Sequence, residues 1–409
     1  MANKLILFTA DFPFGSGETF LETEISYLCK AFDSVHIISS NQSAPQSRIL
    51  PENCSVERIN LSLTGFQKVK SLLGVFSLLY RSEKKLIDQK YGLKMNGGIR
   101  KTMLISLFRA KLVEKKAADI CLTAFNEDRL YFYSYWSDDV AIGLGMLQNN
   151  YPEIRTFSRI HRWDVYFEES AYGYLPYRSF LVNSISKIIS ISQDGIDYVN
   201  NVWKTNQPKK LVLSRLGVGN RVPFQLANNE VFTLVSCSNL IPVKRVDLLA
   251  KALVELRIQP IKWIHFGDGM ERQKIERIIE TRSENLQVEM KGRVSNSEIY
   301  DFYAANKPDL FINVSSSEGV PVSIMEAMSF GIPVLATDAG GNSEIVTNEN
   351  GELLLLGISV NELADKIRQF IELTQGQKVR VQHKSFEMWR ERYDSDMNYN
   401  NFIKLIKQI

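Results

Sequence analysis

Short apolar runs recur along this chain of 409 residues. Each is broken by glycine, proline or small polar residues, and most lead into stretches whose apolar positions return every three or four residues. In the first half, strand-like runs fall at residues 4–10, 34–40, 131–136, 187–192 and 210–214, and a further strand starts at Thr156. In the second half they fall at residues 232–237, 262–266, 288–291, 310–314 and 333–337, with helical stretches such as 245–256 and 271–279 between them. Runs that are apolar throughout suit strands buried on both faces, and strands separated by helices suit a parallel sheet covered on both sides. Residues 41–60 read as loop, and residues 219–229 are polar and turn-rich, as a linker would be. The pattern predicts an α/β protein with two doubly wound parallel-sheet domains.

The most informative stretch follows the run at residues 310–314. It reads Glu318-Gly-Val-Pro-Val-Ser-Ile-Met-Glu326 and continues to Gly331 and Pro333. Pro321 suits the first turn of a helix, where its missing N–H costs nothing, and Gly331 followed by Pro333 suits the helix end. The expected unit is strand, short loop, helix, with Glu318 in the loop and Glu326 eight residues further on. Backbone N–H groups around Val320 to Ser323 would lie free at the helix start, where anions are favoured. A phosphate held by amides, with carboxylates taking nearby hydroxyls, is the chemistry of a nucleotide-sugar site. The plainer reading is a solvated helix with surface acids. Against it, Glu326 lies inside an apolar run, where a carboxylate needs a partner.

Three other stretches carry candidate chemistry. The loop after the first strand holds Gly15 and Gly17 ahead of a helix at residues 21–30, and two glycines let a backbone approach a ligand closely. The strand starting at Thr156 ends on Arg159, His161 and Asp164, at the kind of strand end where α/β sheets place their sites. The run at residues 232–237 leads through Asn239 to Lys244 and Arg245 at a helix start, an unfavourable place for an unpartnered cation.

Composition adds bounds. With 44% apolar and 23% charged residues, the chain is an ordinary globular protein. Cys29, Cys54, Cys121 and Cys237 are far apart with no metal-ligand spacing, so a reducing compartment is expected. The N-terminus reads as a first strand rather than a signal peptide, and no run approaches the roughly 20 apolar residues of a spanning helix. Net charge is only +3 but uneven: residues 67–116 carry 13 Lys/Arg against 3 Asp/Glu. That block also contains Leu72, Leu73, Val75, Phe76, Leu78, Leu79, Leu104, Ile105, Leu107 and Phe108. Basic and amphipathic together, it is expected to lie on an anionic membrane surface rather than on nucleic acid.

The Glu318-to-Glu326 segment, with its Gly-Val-Pro-Val-Ser core and the following Gly-Ile-Pro-Val-Leu-Ala-Thr-Asp-Ala-Gly-Gly, resembles the signature of the glycogen-synthase-like retaining glycosyltransferases, family GT4. The resemblance is specific over the second half and loose over the first. It implies a GT-B fold, with two Rossmann-like domains facing a cleft. The implied boundaries are an acceptor-binding domain at residues 1–218 with the basic insertion at 67–116, a nucleotide-sugar domain at 219–385, and a C-terminal helix at 386–409 returning to the first domain. It further implies that Glu326 holds ribose hydroxyls, while Glu318 and the Gly319, Val320, Pro321 and Val322 backbone hold sugar and phosphate. Lys244 would neutralise the donor diphosphate. Asn239 stands where the family has Arg, so Arg245 is expected to compensate.

Gly267 would approach the sugar nucleotide, and Arg293 and Val294 would meet the base. Gly340 and Gly341 would turn at the next strand end. His161 would border the anomeric centre, although Arg162 stands where the family has Gly. Gly15 and Gly17, and more loosely Glu18, would border the acceptor and phosphate.

The activity so implied is metal-independent transfer, without a cofactor, of a hexose-type sugar from a nucleoside diphosphate sugar. UDP is the expected nucleotide. The acceptor would be a glycan or lipid-linked glycan in surface polysaccharide synthesis, at the cytoplasmic face of the membrane. The alternatives are a GT-B-fold nucleotide-sugar epimerase and a non-catalytic nucleotide-sugar-binding protein.

Overall fold

The computed structural model describes residues 2–15, 17–124, 128–220, 222–227, 229–257 and 259–408. The chain divides into two compact units, residues 1–216 with 399–409, and residues 217–398.

Among the described residues the first unit has seven strands: β1 (Ala2–Thr9), β2 (Ser34–Ser39), β3 (Cys54–Arg58), β4 (Asp128–Ser134), β5 (Arg155–Ile160), β6 (Lys187–Ser190) and β7 (Leu211–Leu213). All pair in parallel, in the order β3-β2-β1-β4-β5-β6-β7. Successive side chains of a strand point to opposite faces. Leu5 and Leu7 accordingly pack with Tyr131, Tyr133 and the helix Phe20–Ala31 on one side, and Ile6 and Phe8 with Leu130, Phe132 and Val113 on the other.

The second unit has six parallel strands: β8 (Phe232–Cys237), β9 (Ile261–Phe266), β10 (Leu286–Gly292), β11 (Leu310–Asn313), β12 (Val334–Thr337) and β13 (Gly351–Leu354). Their order is β10-β9-β8-β11-β12-β13. In each sheet the winding therefore reverses beside the first strand, between β1 and β4 and between β8 and β11. Helices leave that point toward opposite faces and open a crevice beyond the strand ends, where α/β proteins bind ligands.

Two strands correct the sequence reading. β3 lies inside the stretch read as loop, and β13 falls where no strand was expected. Both are edge strands: β3 buries no position and shows no apolar run, whereas β13 opens on Gly351-Glu352 and sequence reasoning missed its run of leucines, 353–356. The basic block is also corrected in part. Its second half is the helix Gly97–Ala124, whose Met103, Leu107, Ala110, Val113, Ala117 and Cys121 form a buried stripe, with Leu104 buried beside it. The amphipathic pattern there is a core pattern. The last helix, Ser395–Lys407, carries the chain from the second unit to the first, where Phe402 and Ile406 join the β1 core.

The first unit also buries an ion pair. Arg159 on β5 and Glu24 on the helix Phe20–Ala31 are both fully buried, with Nη1 and Oε2 2.6 Å apart. Tyr133 donates to the same carboxylate at 3.1 Å, and the Arg159 guanidinium lies 4.4 Å from the Phe402 ring centroid. Burial pushes the Glu24 carboxyl up, and Arg159 opposes that shift. Arg159, grouped with His161 in the sequence reading, is thus a structural residue. Arg159→Ala would strand the Glu24 carboxylate, and removing one partner of a buried pair costs about 3–5 kcal/mol. Urea denaturation should show a lowered midpoint for the first unit, and an unchanged midpoint would remove this role.

Candidate functional site

The second unit collects its candidate residues at the reversal point. After β8 the chain passes through Asn239 and a short turn, Pro242–Lys244, into the helix Val246–Glu255. After β11 it passes through Glu318 into the helix Val322–Ser329. These two loops meet through charge: Lys244 Nζ lies 2.6 Å from Glu318 Oε1. Asn313 Nδ2 donates to the same carboxylate oxygen at 3.2 Å, and Glu318 is buried. An ammonium has three donors, and one bond to Glu318 leaves others for a ligand at its open side.

The Glu318 loop is stitched in place. Ser316 N–H donates to Val243 O at 2.8 Å, Thr337 Oγ1 to Ser315 O at 2.5 Å, and Gly341 N–H to Gly319 O at 2.9 Å. Gly340 sits at φ +55°, and a Cβ there would lie 1.9 Å from Glu318 O. The Gly340–Gly341 pair therefore lets the β12 loop close against the Glu318 loop. Pro321 is the cap residue just before the helix rather than part of its first turn, and its carbonyl accepts from Ile324 and Met325. The first N–H groups of a helix have no intrahelical acceptor, so those of Val322 and Ser323 present a donor-rich end. Gly319 and Val320 lead the chain to that end.

Glu326 is the fifth residue of the helix and is buried. Burial pushes its carboxyl up to about 7, partly offset by a hydrogen bond from the Asn296 side chain. A carboxyl poised to ionise near neutral pH is a candidate for meeting hydroxyl donors.

Other expected residues fare differently. The Arg245 guanidinium, expected to compensate for Asn239, is directed at main-chain carbonyls instead: Nε donates to Val314 O and Nη1 to Leu356 O, both at 2.7 Å. It braces the β11 loop, while Asn239 is exposed. Gly267 has a structural reason to be glycine, because a Cβ would lie 1.9 Å from Ser238 O. Its N–H donates to Gly292 O at 2.8 Å, which places it beside Arg293 and Val294 at the ends of β9 and β10. Arg293 is exposed and Val294 half-buried.

In the first unit, Glu18 corrects the expectation of an acceptor-facing carboxylate. Its oxygens accept from the N–H groups of Ala10, Asp11 and Phe12 at 2.6–2.8 Å and from Trp136 Nε1 at 2.5 Å. It clasps the loop after β1 and is spent there. Gly17 packs where a Cβ would lie 2.3 Å from Asp11 Oδ2, and the carbonyls of Gly15 and Gly17 both accept from Arg48.

His161 sits just beyond the end of β5. Asp164 fixes its backbone: Oδ1 accepts the His161 N–H and Oδ2 the Ser137 N–H, both at 2.7 Å. The imidazole packs 4.4 Å from Trp136 and 4.8 Å from Tyr135, centroid to centroid, and neither ring nitrogen has a hydrogen-bond partner. Asp164 Oδ2 stands 4.0 Å from Nδ1, beyond hydrogen-bond reach, so both nitrogens would take a partner from water or a ligand.

Sequence reasoning missed Asn313, Asn296 and Trp136 as supports of these groups. Asn313 left a signal, a polar side chain closing an apolar strand run. Asn296 left none, because it reaches Glu326 only through the fold.

Residues 221–385 match the family model of the glycosyl transferases group 1. A UDP-N-acetylglucosamine–peptide N-acetylglucosaminyltransferase GtfA subunit from Streptococcus agalactiae is 32% identical over 189 residues, covering 44% of this chain and 36% of that protein. A poly(ribitol-phosphate) alpha-N-acetylglucosaminyltransferase of Staphylococcus aureus is 32% identical over 140 residues, covering 33% of this chain and 27% of that protein. The chain thus spans about a third of the length of these curated relatives. Among solved structures, Anabaena HepE in complex with UDP superposes with a TM-score of 0.67 at 18% identity over 100% of both chains. The lipopolysaccharide outer core galactosyltransferase WaaB, in its apo form, gives 0.68 at 14% identity over 99% of both. These likenesses show the fold, two Rossmann-like parallel-sheet units.

The raised Glu326 carboxyl sets a stability test. Ionising it costs more in the folded than in the unfolded chain, so its penalty is absent below pH 4.5 and complete above about pH 7. Glu326→Gln should therefore stabilise the ligand-free protein at pH 8, by up to roughly 3 kcal/mol, and leave it unchanged near pH 4.5. Thermal unfolding across that range reads the difference, and a pH-independent effect would contradict it.

Proposed function

We propose, from the match of residues 221–385 to the family model of the glycosyl transferases group 1, that this chain transfers a hexose-type sugar from a UDP-sugar to a glycan or lipid-linked glycan. The observation that carries the reading is the Lys244–Glu318 pair at the donor-rich start of the helix that carries Glu326. UDP is favoured because the S. agalactiae relative is named for UDP-N-acetylglucosamine and HepE was solved with UDP.

In this reading Glu326 accepts hydrogen bonds from the ribose hydroxyls. Lys244 and the N–H groups around Val322 receive the negative charge that develops on the departing diphosphate, an electrostatic stabilisation of the transition state. Glu318 aims Lys244 and borders the sugar. The bond from the anomeric carbon to the diphosphate oxygen breaks, and a bond to the acceptor hydroxyl oxygen forms on the same face. Attack on the same face retains the configuration, the acceptor proton passes to the leaving phosphate, and the transfer is read as metal-independent. On the first unit, the His161 imidazole serves a sugar hydroxyl, held in place by Asp164 and Trp136.

A second reading has its own support. Asn239 brings no charge and Arg245 is committed to carbonyls, so the diphosphate would meet Lys244 with little cationic help. A non-catalytic nucleotide-sugar-binding protein would bind the donor without transfer or hydrolysis.

Thermal shift with UDP, GDP and ADP separates these possibilities from a wrong site. A ligand at a hundredfold excess over Kd adds about 2.7 kcal/mol. A shift with UDP that Glu326→Ala reduces supports the donor site, and no shift with any nucleotide removes it. Lys244→Ala should lower kcat more than donor affinity, and unchanged turnover would end its role.

Because ribose hydroxyls favour the ionised form of Glu326, UDP affinity should rise between pH 6 and pH 8, with proton release on binding. Calorimetry in buffers of different ionisation enthalpy reads that proton, and pH-independent binding would place the ribose elsewhere.

A further inference from the structure

The first half of the basic block does not join the core. Between residues 66 and 78 six large apolar side chains face solvent: Phe66 (79% exposed), Val69 (64%), Leu72 (56%), Leu73 (62%), Phe76 (68%) and Leu78 (79%). Scattered exposed apolar residues are ordinary on a folded protein, but a contiguous ridge marks an interaction surface. This ridge is held in shape from beneath. Ser71 and Tyr80 are buried, and Val75 and Leu79 pack on the core cluster around Leu104 and Leu107. The helices Gly65–Ser71 and Leu78–Gln89 thus present their outer faces from fixed positions.

Charge identifies the occupant. Lys68, Lys70, Arg81, Lys84 and Lys85 flank the ridge and are exposed, and Asp88 is the one exposed acid between residues 65 and 90. The other acid there, Glu83, is turned inward, where it accepts from the Tyr174 hydroxyl and, at 2.7 Å, from Tyr177 N–H. The stretch is basic on its outside because its competing carboxylate is folded in. A second copy of this chain would set one row of lysines against another. An anionic lipid surface takes the apolar ridge into its acyl boundary and the lysines at its headgroups. Among the described residues no helix is long and apolar enough to cross a membrane, so the contact is interfacial.

We propose that residues 65–85 form a docking surface for an anionic bilayer, with the ridge from Phe66 to Leu78 inserted and Lys68, Lys70, Arg81, Lys84 and Lys85 on lipid headgroups. The surface lies outside the nucleotide-binding machinery, so it stands or falls separately from the donor reading.

The test is co-sedimentation of the full chain with vesicles of phosphatidylcholine containing phosphatidylglycerol, beside pure phosphatidylcholine. The parent should bind the anionic vesicles, and binding should fall as salt rises. Leu73→Ser with Phe76→Ser, and separately Lys84→Glu with Lys85→Glu, should each weaken binding at least about tenfold. All four side chains are exposed, so both variants should keep the parent's unfolding temperature and its UDP shift. Vesicle binding that either variant retains would overturn the proposal. So would a parent that ignores anionic vesicles, whether it stays monomeric or forms a dimer that the Phe76→Ser variant dissolves. Loss of the UDP shift in the parent would count against the donor site and leave the vesicle result untouched.

Discussion

The winding of each sheet reverses beside its first strand, and the rest of the molecule is arranged by that constraint. Parallel strands leave their ends on one edge, and helices that depart toward opposite faces leave the space between them uncovered. In the second unit, β8 and β11 flank that space. Lys244 and Glu318 arrive there from loops 74 residues apart in sequence and meet at 2.6 Å. The Gly340–Gly341 turn, Thr337 and Arg245 then serve one purpose: they hold the carbonyls around the Glu318 loop so that the ion pair and the helix start keep fixed positions.

The buried carboxylates of the protein differ in how fully they are neutralised. Glu24 has a complete partner in Arg159 and belongs to the core. Glu318 has Lys244, an ammonium that keeps an open side. Glu326 meets the Asn296 side chain among the described residues, and burial pushes its carboxyl up to about 7. Burial alone would not separate these three residues, since all are buried, but the identity of each partner does.

Much of this was legible in the sequence. Central strands buried on both faces write themselves as unbroken apolar runs, and these gave both sheets to within a residue or two at most ends. Edge strand β3 buries no position and leaves no such run, while β13 left a short run of leucines, 353–356, behind a glycine and a glutamate. The Glu318-to-Glu326 spacing marked a site because proline, glycine and two acids fall where a strand–loop–helix needs them. Burial of one face misled at the helix Gly97–Ala124, since a stripe that packs on a core and a stripe that lies on a membrane have the same period. Only the fold could show that Leu104 and Leu107 are covered while Leu73 and Phe76 are not. Arg245, Arg159 and Glu18 were misread for a related reason: a charged side chain near a strand end can face a ligand or tie down its own backbone, and composition does not distinguish the two.

The Glu18 clasp bears on the difference between the halves. Both sheets have the same reversal, and each opens a crevice with amide donors at its lip. In the first unit three consecutive amides beyond β1 and the Trp136 indole converge on a carboxylate that the chain itself supplies. That lip carries a built-in anion, and an incoming phosphate would find its seat taken. In the second unit no side chain of the chain is seen to accept from the Val322 or Ser323 N–H among the described residues. Two sheets with the same reversal thus differ at this strand end, where the first unit supplies its own carboxylate to the amides.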